Sequence, residues 1–589
     1  MRKVFTLLML TIAVSCFAAY YVAGNGTSGN PWCDGKTWQV NGSLMTADAS
    51  GVSSVTFKSV PVGSYEFKVT NGSNTWYGFT KFSADCSNLY AVSMGSGDSN
   101  IGFSLQKAQD VTITFNGSQI CLRGSVGNNY PDPSKYAEVA VPSEYEGIML
   151  QAFYWNSHQL TTYSNTKYAT LQNLAEEIGT NFDLVWLPPS GNGGGVGYYT
   201  KCYSNLSSAW GNKAELQTLI TSLHSHNCKV IADIVINHFQ SNNGWAKGFA
   251  TNNFEDYGSF KIESKYICAG DEAATNSSSD SKSLTYGNAD TGTNDAGCRD
   301  LDHTQEYVQQ MCEAYTKWMI NKIGFDGFRY DMTRGYAGSY LSQYNLASKP
   351  FFSVSEFWMD DVQSVKSHLE SVSYNTLAFD FPLKAKIKSW NGGSNYSNLK
   401  NQGLRSEGLS RFAVTFIDNH DTFHRSDNQG EEFIGYNTNL ANKRKEILAA
   451  NAYILMLPGV PCVFWPHWYT FKNDINRLMH IRRVVGIHSE SEVTDETAAS
   501  NSYSATITGH HGKAILRMGS ARSTAVPLGY YLAYSGDLFD IYTTLVDTSV
   551  ESVESHSDLS AAPRKVMQDG ILYIERNGGL YTMQGTKVK

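Results

Sequence analysis

Apolar and polar positions change rhythm twice along the chain. From about residue 20 to 121, short alternating runs such as Ser64–Thr70 and Val111–Phe115 are separated by Gly, Asn and Ser. Alternation with period two marks strands that bury one face, so this region predicts a small antiparallel β-sandwich. Residues 122–146, with Gly124, Pro131, Pro133 and Pro142, read as a linker. From residue 147 to 488 the runs become continuous and β-branched, and helix-period segments such as Glu306–Ile323 and Asn442–Met456 lie between them. The strand candidates are Ile148–Tyr154, Leu184–Leu187, Val230–Ile236, Gly327–Asp331, Phe352–Glu356, Leu377–Phe379, Phe412–Ile417 and Cys462–Trp465. Strands that read as unbroken apolar runs are buried on both faces, as in a parallel sheet wrapped by helices. The pattern therefore predicts an α/β fold, a (β/α)₈ TIM barrel, with an inserted subdomain at 239–299 after the third strand. Residues 489–545 return to short strands and predict a C-terminal β-sandwich. Residues 546–589 form a tail with a hairpin signal at Asn577-Gly578-Gly579. That tail is either a last hairpin of the preceding domain or a sorting segment.

A chain of 589 residues is too long for one core. A net charge of −8 gives no electrostatic footprint for nucleic acid. Aromatic content of 13%, including 35 Tyr and 12 Trp, suits either β-rich cores or faces that stack on sugar rings. Arg2 and Lys3 precede the apolar run Val4 to Val14, and small residues follow through Ala19, so residues 1–19 read as an export signal. Cleavage falls either near Ala18 or Ala19, for a secreted protein, or before Cys16, whose lipidation would attach the protein to the outer-membrane surface. Of the cysteines, Cys268 and Cys298 could close a loop, while Cys228, Cys312 and Cys462 sit in apolar patterns as buried thiols.

Candidate chemistry gathers at four strand ends: Asp233–His238, Gly327–Asp331, Val354–Trp358 and Phe416–Asp421. In a (β/α)₈ barrel these ends open onto one face, so carboxylates remote in sequence converge. Arg329 and Asp331, two residues apart on a strand, point to the same side.

In order and spacing the four segments resemble the signature regions of the α-amylase family of glycoside hydrolases, most closely its plant-type members, over roughly residues 147–545. Val185–Pro189, Gly197-Tyr198, Trp210–Lys213 and Leu457–Cys462 support the resemblance. It implies Asp331 as nucleophile, Glu356 as general acid/base and Asp421 as the third catalytic carboxylate. Cleavage with retention needs two carboxyl groups about 5–5.5 Å apart. The resemblance further implies substrate contacts from Tyr198, His238, Arg329, Arg334, Trp358 and His420. It implies a structural Ca²⁺ held by side chains of Asn237, Asp290 and Asp300 and by the carbonyls of Thr293 and Gly335, a donor set that suits a hard cation. Plant-type members have Lys-Gly where this chain has Arg334-Gly335, and arginine keeps the charge while changing the geometry. The expected substrate is starch or a related α-glucan, cut at internal α-1,4 links by a secreted, retaining, monomeric enzyme. Family relatives with transferase, debranching or maltogenic activity share the same catalytic residues. A non-catalytic glucan-binding relative typically lacks one of the three carboxylates, all of which are present here. The N-terminal sandwich is either purely structural or a starch-binding module, with Trp38, Trp76 and Tyr77 as its stacking residues.

Overall fold

The computed structural model describes residues 19–545 apart from 49, 62, 84–85, 88, 90, 95–97, 106–107, 126–139, 270–282, 294–298, 391–394 and 424–439, together with strands between 564 and 581. The expected signal segment up to residue 18, with Cys16, lies outside the described residues, as do Cys298 and the centre of the linker. Among the described residues no helix is long and apolar enough to cross a membrane.

Eight parallel strands close into a barrel: β1 (Met149–Gln151), β2 (Leu184–Trp186), β3 (Lys229–Ile234), β4 (Gly327–Tyr330), β5 (Phe352–Ser355), β6 (Leu377–Phe379), β7 (Ala413–Phe416) and β8 (Val460–Phe464). The ring closes through β1 and β8, where Met149 pairs with Cys462 and Gln151 with Phe464. Every residue of β4, β5, β6, β7 and β8 is buried, as expected of strands covered by helices outside and side chains inside. Local signals place the helices. Asn212 caps Lys213–Ser225 through a reciprocal capping box with Glu215. Gly324, in the left-handed region (φ 102°), ends the long helical stretch that begins at Glu306 and closes in a π-turn at Met319–Ile323.

The insertion after β3 carries a two-stranded hairpin, Thr251–Phe254 with Gly258–Lys261, held to the barrel by the Asn252 Oδ1 that accepts from the Tyr203 backbone N–H (2.7 Å). The N-terminal region is a two-sheet sandwich. One sheet is built around Tyr21–Gly24, Gly63–Thr70 and Asn100–Leu105, and the other around Ser53–Val60, Gln109–Phe115 and Ile120–Gly124. Its core is separate from that of the barrel and centres on Trp32, whose ring meets Phe57, Tyr65, Phe67 and Phe103. A disulfide joins Cys86 to Cys121 within this unit, a pairing that spacing did not single out.

At the C-terminal end the expected β-domain is present as antiparallel structure. One five-stranded antiparallel sheet spans Glu492 to Thr543, and its buried Ala505, Ile507, Leu516 and Ile541 join the barrel core. A bidentate ion pair between Arg405 and Glu496 (2.6 and 3.1 Å) fastens the sheet to the barrel. Residues Val546–Lys589 form a unit of their own, in which Arg564–Gln568, Ile571–Arg576 and Gly579–Tyr581 pair antiparallel.

Candidate active site

The buried guanidinium of Arg329, on β4, gathers the acidic groups. Its Nη1 donates to Asp233 Oδ1 (2.8 Å) and to Asp331 Oδ1 (2.6 Å), and its Nη2 lies 2.9 Å from Glu356 Oε2. Strand periodicity explains the convergence. Asp233 on β3 is the register partner of Arg329, Asp331 follows β4, and Glu356 follows β5. Asp331 and Glu356 are 4% and 6% exposed, so each touches the cleft while its charge is largely removed from water.

Just after Asp331 the chain turns sharply. Met332 takes a left-handed backbone conformation (φ 45°) and directs its N–H at Glu356 Oε2 (2.9 Å). A bulky residue held there stores conformational energy, a feature that concentrates at functional sites. The turn fixes the position of one carboxyl by the backbone that follows the other.

Burial pushes the carboxyl groups of Asp233, Asp331 and Glu356 above the ordinary carboxylate range, and the Arg329 charge pulls each one back. Asp331 and Asp421 add to the upward pressure on Glu356. A single guanidinium cannot compensate three buried negative charges, so the cluster favours keeping a proton. Glu356 is raised furthest and also faces the cleft. The arrangement thus presents an ionisable pair beside a carboxyl held protonated, which is the division of labour that glycoside cleavage requires.

Around this cluster lie aromatic and imidazole rings. Tyr198 donates its hydroxyl to Asp233 Oδ2 (2.8 Å) and stacks on His420, with centroids 5.1 Å apart and planes 7° apart. Trp155 lies nearly parallel to both, at 5.9 and 6.0 Å. His420 Nε2 is 3.2 Å from Asp421 Oδ2, and its Nδ1 meets the Gln151 side-chain amide at 3.0 Å. The amide is a hydrogen-bond donor, so the ring presents Nδ1 as acceptor and carries its proton on Nε2, facing Asp421. His238 is buried with Nε2 against the Tyr198 carbonyl (2.8 Å). Trp358 is half-buried with one ring face on Phe381 (centroids 4.9 Å), and Arg334, exposed, donates Nη1 to the Trp358 carbonyl (3.1 Å).

Asp233, Gln151, Trp155 and Trp186 also build the site, although the sequence motifs assign none of them a role. Trp186 donates Nε1 to Asp233 Oδ2 (3.1 Å) and lies under the Arg329 guanidinium at 5.0 Å. A signal for Asp233 and Gln151 was present, because each is a polar residue inside an otherwise apolar strand.

The five calcium candidates also meet. Asn237 Nδ2 donates to Asp300 Oδ1 (2.9 Å), and the Asn237 Oδ1 is buried without a hydrogen-bond partner. Gly335 fits against that oxygen so closely that a β-carbon there would come within 1.9 Å of it. Thr293 donates its N–H to the Arg334 carbonyl (2.9 Å), and Asp290 Oδ1 accepts from Gly292 N–H (3.0 Å) beside Gly335. A buried amide oxygen left unbonded next to carboxylates and carbonyls fits a hard oxygen-seeking cation.

Of the residues of the expected starch platform, Trp76 and Tyr77 are neighbours on one strand and so point to opposite sides of it. Tyr77, half-buried, packs against Phe115 (4.8 Å) and Tyr20 (6.0 Å) at the edge of the sandwich core. Trp38 and Trp76 are half-buried and stack on neither each other nor Tyr77.

A closed parallel barrel whose strand ends gather three acids and an arginine is the scaffold of a glycoside hydrolase. The family model described as the α-amylase catalytic domain matches residues 175–473. Probable alpha-amylase 2 of Arabidopsis thaliana is 30% identical over 419 residues, covering 67% of this chain and 93% of that protein. The chloroplastic alpha-amylase 3 of the same plant is 29% identical over 61% of this chain and 40% of its own length. A glucan 1,4-alpha-maltotetraohydrolase of Stutzerimonas stutzeri is 27% identical, with 59% of this chain and 63% of that protein covered. The fold matches that of an Anoxybacillus alpha-amylase with a TM-score of 0.52 at 14% identity, over 69% of this chain and all of the other. The chain belongs to the α-amylase family of glycoside hydrolases.

Proposed function

We propose that the protein is an exported α-amylase that cuts internal α-1,4-glucosidic links of starch by double displacement with retention. The observation that carries this reading is the bridging of Asp331 and Glu356 by the single guanidinium of Arg329. A retaining site needs its two carboxyl groups at a short separation, about 5–5.5 Å, with no room for a water between them and the sugar.

In this reading Asp331 attacks the anomeric carbon while Glu356 gives its proton to the departing glycosidic oxygen. Glu356, then ionised, takes a proton from the water that releases the sugar from Asp331. Arg329 orients Asp331 and favours its ionised form. Asp421 and His420 hold hydroxyls of the distorted ring, and Tyr198 stacks beneath it. Asp233 anchors Arg329 and Tyr198 from behind. Asn237, Asp290, Asp300, Thr293 and Gly335 would hold a structural Ca²⁺ that ties the insertion to the barrel. The Cys86–Cys121 disulfide supports an oxidising destination outside the cytoplasm. Product profiles on amylose and pullulan test the reading. Rapid chain shortening of amylose with little action on pullulan is expected, and it is lost in Glu356→Gln. Larger or cyclic products would indicate a transferase, and release from pullulan a debranching or maltogenic enzyme.

A further inference from the structure

A cavity of about 320 Å³ lies between the N-terminal sandwich and the barrel, a volume within the range of small-ligand sites. Asn25, Glu66, Met94 and Phe103 come to it from the sandwich, and Arg334 and Phe357 from the loops that follow Asp331 and Glu356. The sandwich lies outside the matched catalytic domain, so this wall is particular to the chain's own architecture. We propose that the cavity is a glucan-binding site that receives the leaving-group end of the chain, with the N-terminal sandwich supplying half of it. The proposal rests on the glycosidase reading above.

Three features support it. The cavity borders the catalytic acid through shared backbone. Thr333, in its wall, donates its N–H to the Glu356 carbonyl (3.1 Å), and Thr333 Oγ1 is buried without a hydrogen-bond partner. Arg334, on the barrel side of the cavity, is anchored by one nitrogen to the carbonyl of Trp358, two residues after Glu356.

The opposing walls also carry opposite charges that form no ion pair with each other. Arg334 stands on the barrel, and Glu66, whose Oε2 accepts from Asn100 Nδ2 (2.8 Å), stands on the sandwich. A guanidinium offers donors and a carboxylate offers acceptors, so a neutral polyol satisfies both, whereas an anion or a cation satisfies one and is repelled by the other. The rest of the wall mixes hydroxyl-bearing side chains, such as Thr291, Thr333 and Ser364, with apolar ones. Phe103, Phe357, Met359 and the 39%-exposed Met94 match the C–H faces of a glucosyl unit.

The test compares two substrates in the full-length protein. One is a maltotrioside with nitrophenol as its leaving group, which places no sugar in the cavity. The other is maltoheptaose. Two variants are used, Glu66→Ala, which removes the acceptor, and Met94→Trp, which fills the space. Both are expected to hydrolyse the nitrophenyl maltotrioside at the wild-type rate and to lose about tenfold in kcat/KM on maltoheptaose, mainly through KM. In an Asp331→Asn background, the calorimetric affinity for maltoheptaose falls by a similar factor. Wild-type behaviour of both variants on maltoheptaose would overturn the proposal, as would an equal loss on the two substrates. Failure of the unmodified enzyme to cleave either substrate would instead overturn the glycosidase reading.

Discussion

Replacing Arg329 by methionine removes a guanidinium that holds Asp233, Asp331 and Glu356 at 2.8, 2.6 and 2.9 Å. All four groups are buried, so the three carboxyl groups would be left without their shared partner. Breaking a buried ion pair from one side costs about 3–5 kcal/mol, because the remaining charge stays out of water. Here the cost depends on pH, and its sign follows from the upward displacement of the carboxyl groups. Arg329 opposes the effect of burial on each of them, so without it their folded-state values rise further above the unfolded ones. A carboxyl that binds its proton more tightly when folded loses stability as pH rises from the ordinary carboxylate range through its raised value. The penalty is therefore small at pH 5, where the carboxyls hold protons with or without Arg329, and larger at pH 8, within the range where the raised groups ionise. Thermal unfolding at the two pH values reads this directly. A drop of about 3–7 °C is expected at pH 8, and less than half of that at pH 5. An equal drop at both values would refute the claim that charge compensation, and not packing alone, is what Arg329 contributes.

Further outcomes follow from the site. Asp331→Asn should cut turnover by at least about 10³-fold with the melting temperature largely kept, measured by reducing-sugar release and calorimetry. Glu356→Gln should cost about 10²–10⁴-fold on amylose, and much less on a substrate with a good leaving group such as nitrophenol, which needs no proton. Because Glu356 sits above the ordinary carboxylate range and must be protonated, kcat/KM should fall on the basic side through its raised value. The acidic side should report the ionisation of the Asp331–Asp233 pair around Arg329, and a profile flat on the basic side would remove Glu356 from the acid role. Chelation with EDTA should lower the melting temperature, and Asn237→Ala should make the protein insensitive to it. An unchanged melt in the wild type would remove the calcium reading.

Much of this architecture was legible because a parallel barrel writes itself plainly in sequence. Strands such as Val460–Phe464 and Leu377–Phe379 are buried on both faces and read as unbroken apolar runs. The convergence of Asp331 and Glu356 with Arg329 followed from strand ends sharing one face. Residues whose roles depend on contacts across the barrel were harder to see. Asp233 is fixed by partners from three different stretches, Trp186, Tyr198 and Arg329. Gln151 matters through a histidine 269 positions away. Contacts of the N-terminal rings are hidden for a similar reason. Tyr77 follows a turn and alternates as a surface residue would, yet its pairing beside Val69 carries it onto Phe115.

The most direct measurement is proton NMR of the anomeric signals during early hydrolysis of maltoheptaose. Two carboxyl groups gripping one guanidinium should release the new reducing end first as the α-anomer, with the β-form growing only by slow mutarotation. The β-anomer appearing first would show that water attacks the sugar directly, and would contradict the assignment of Asp331 as the attacking group.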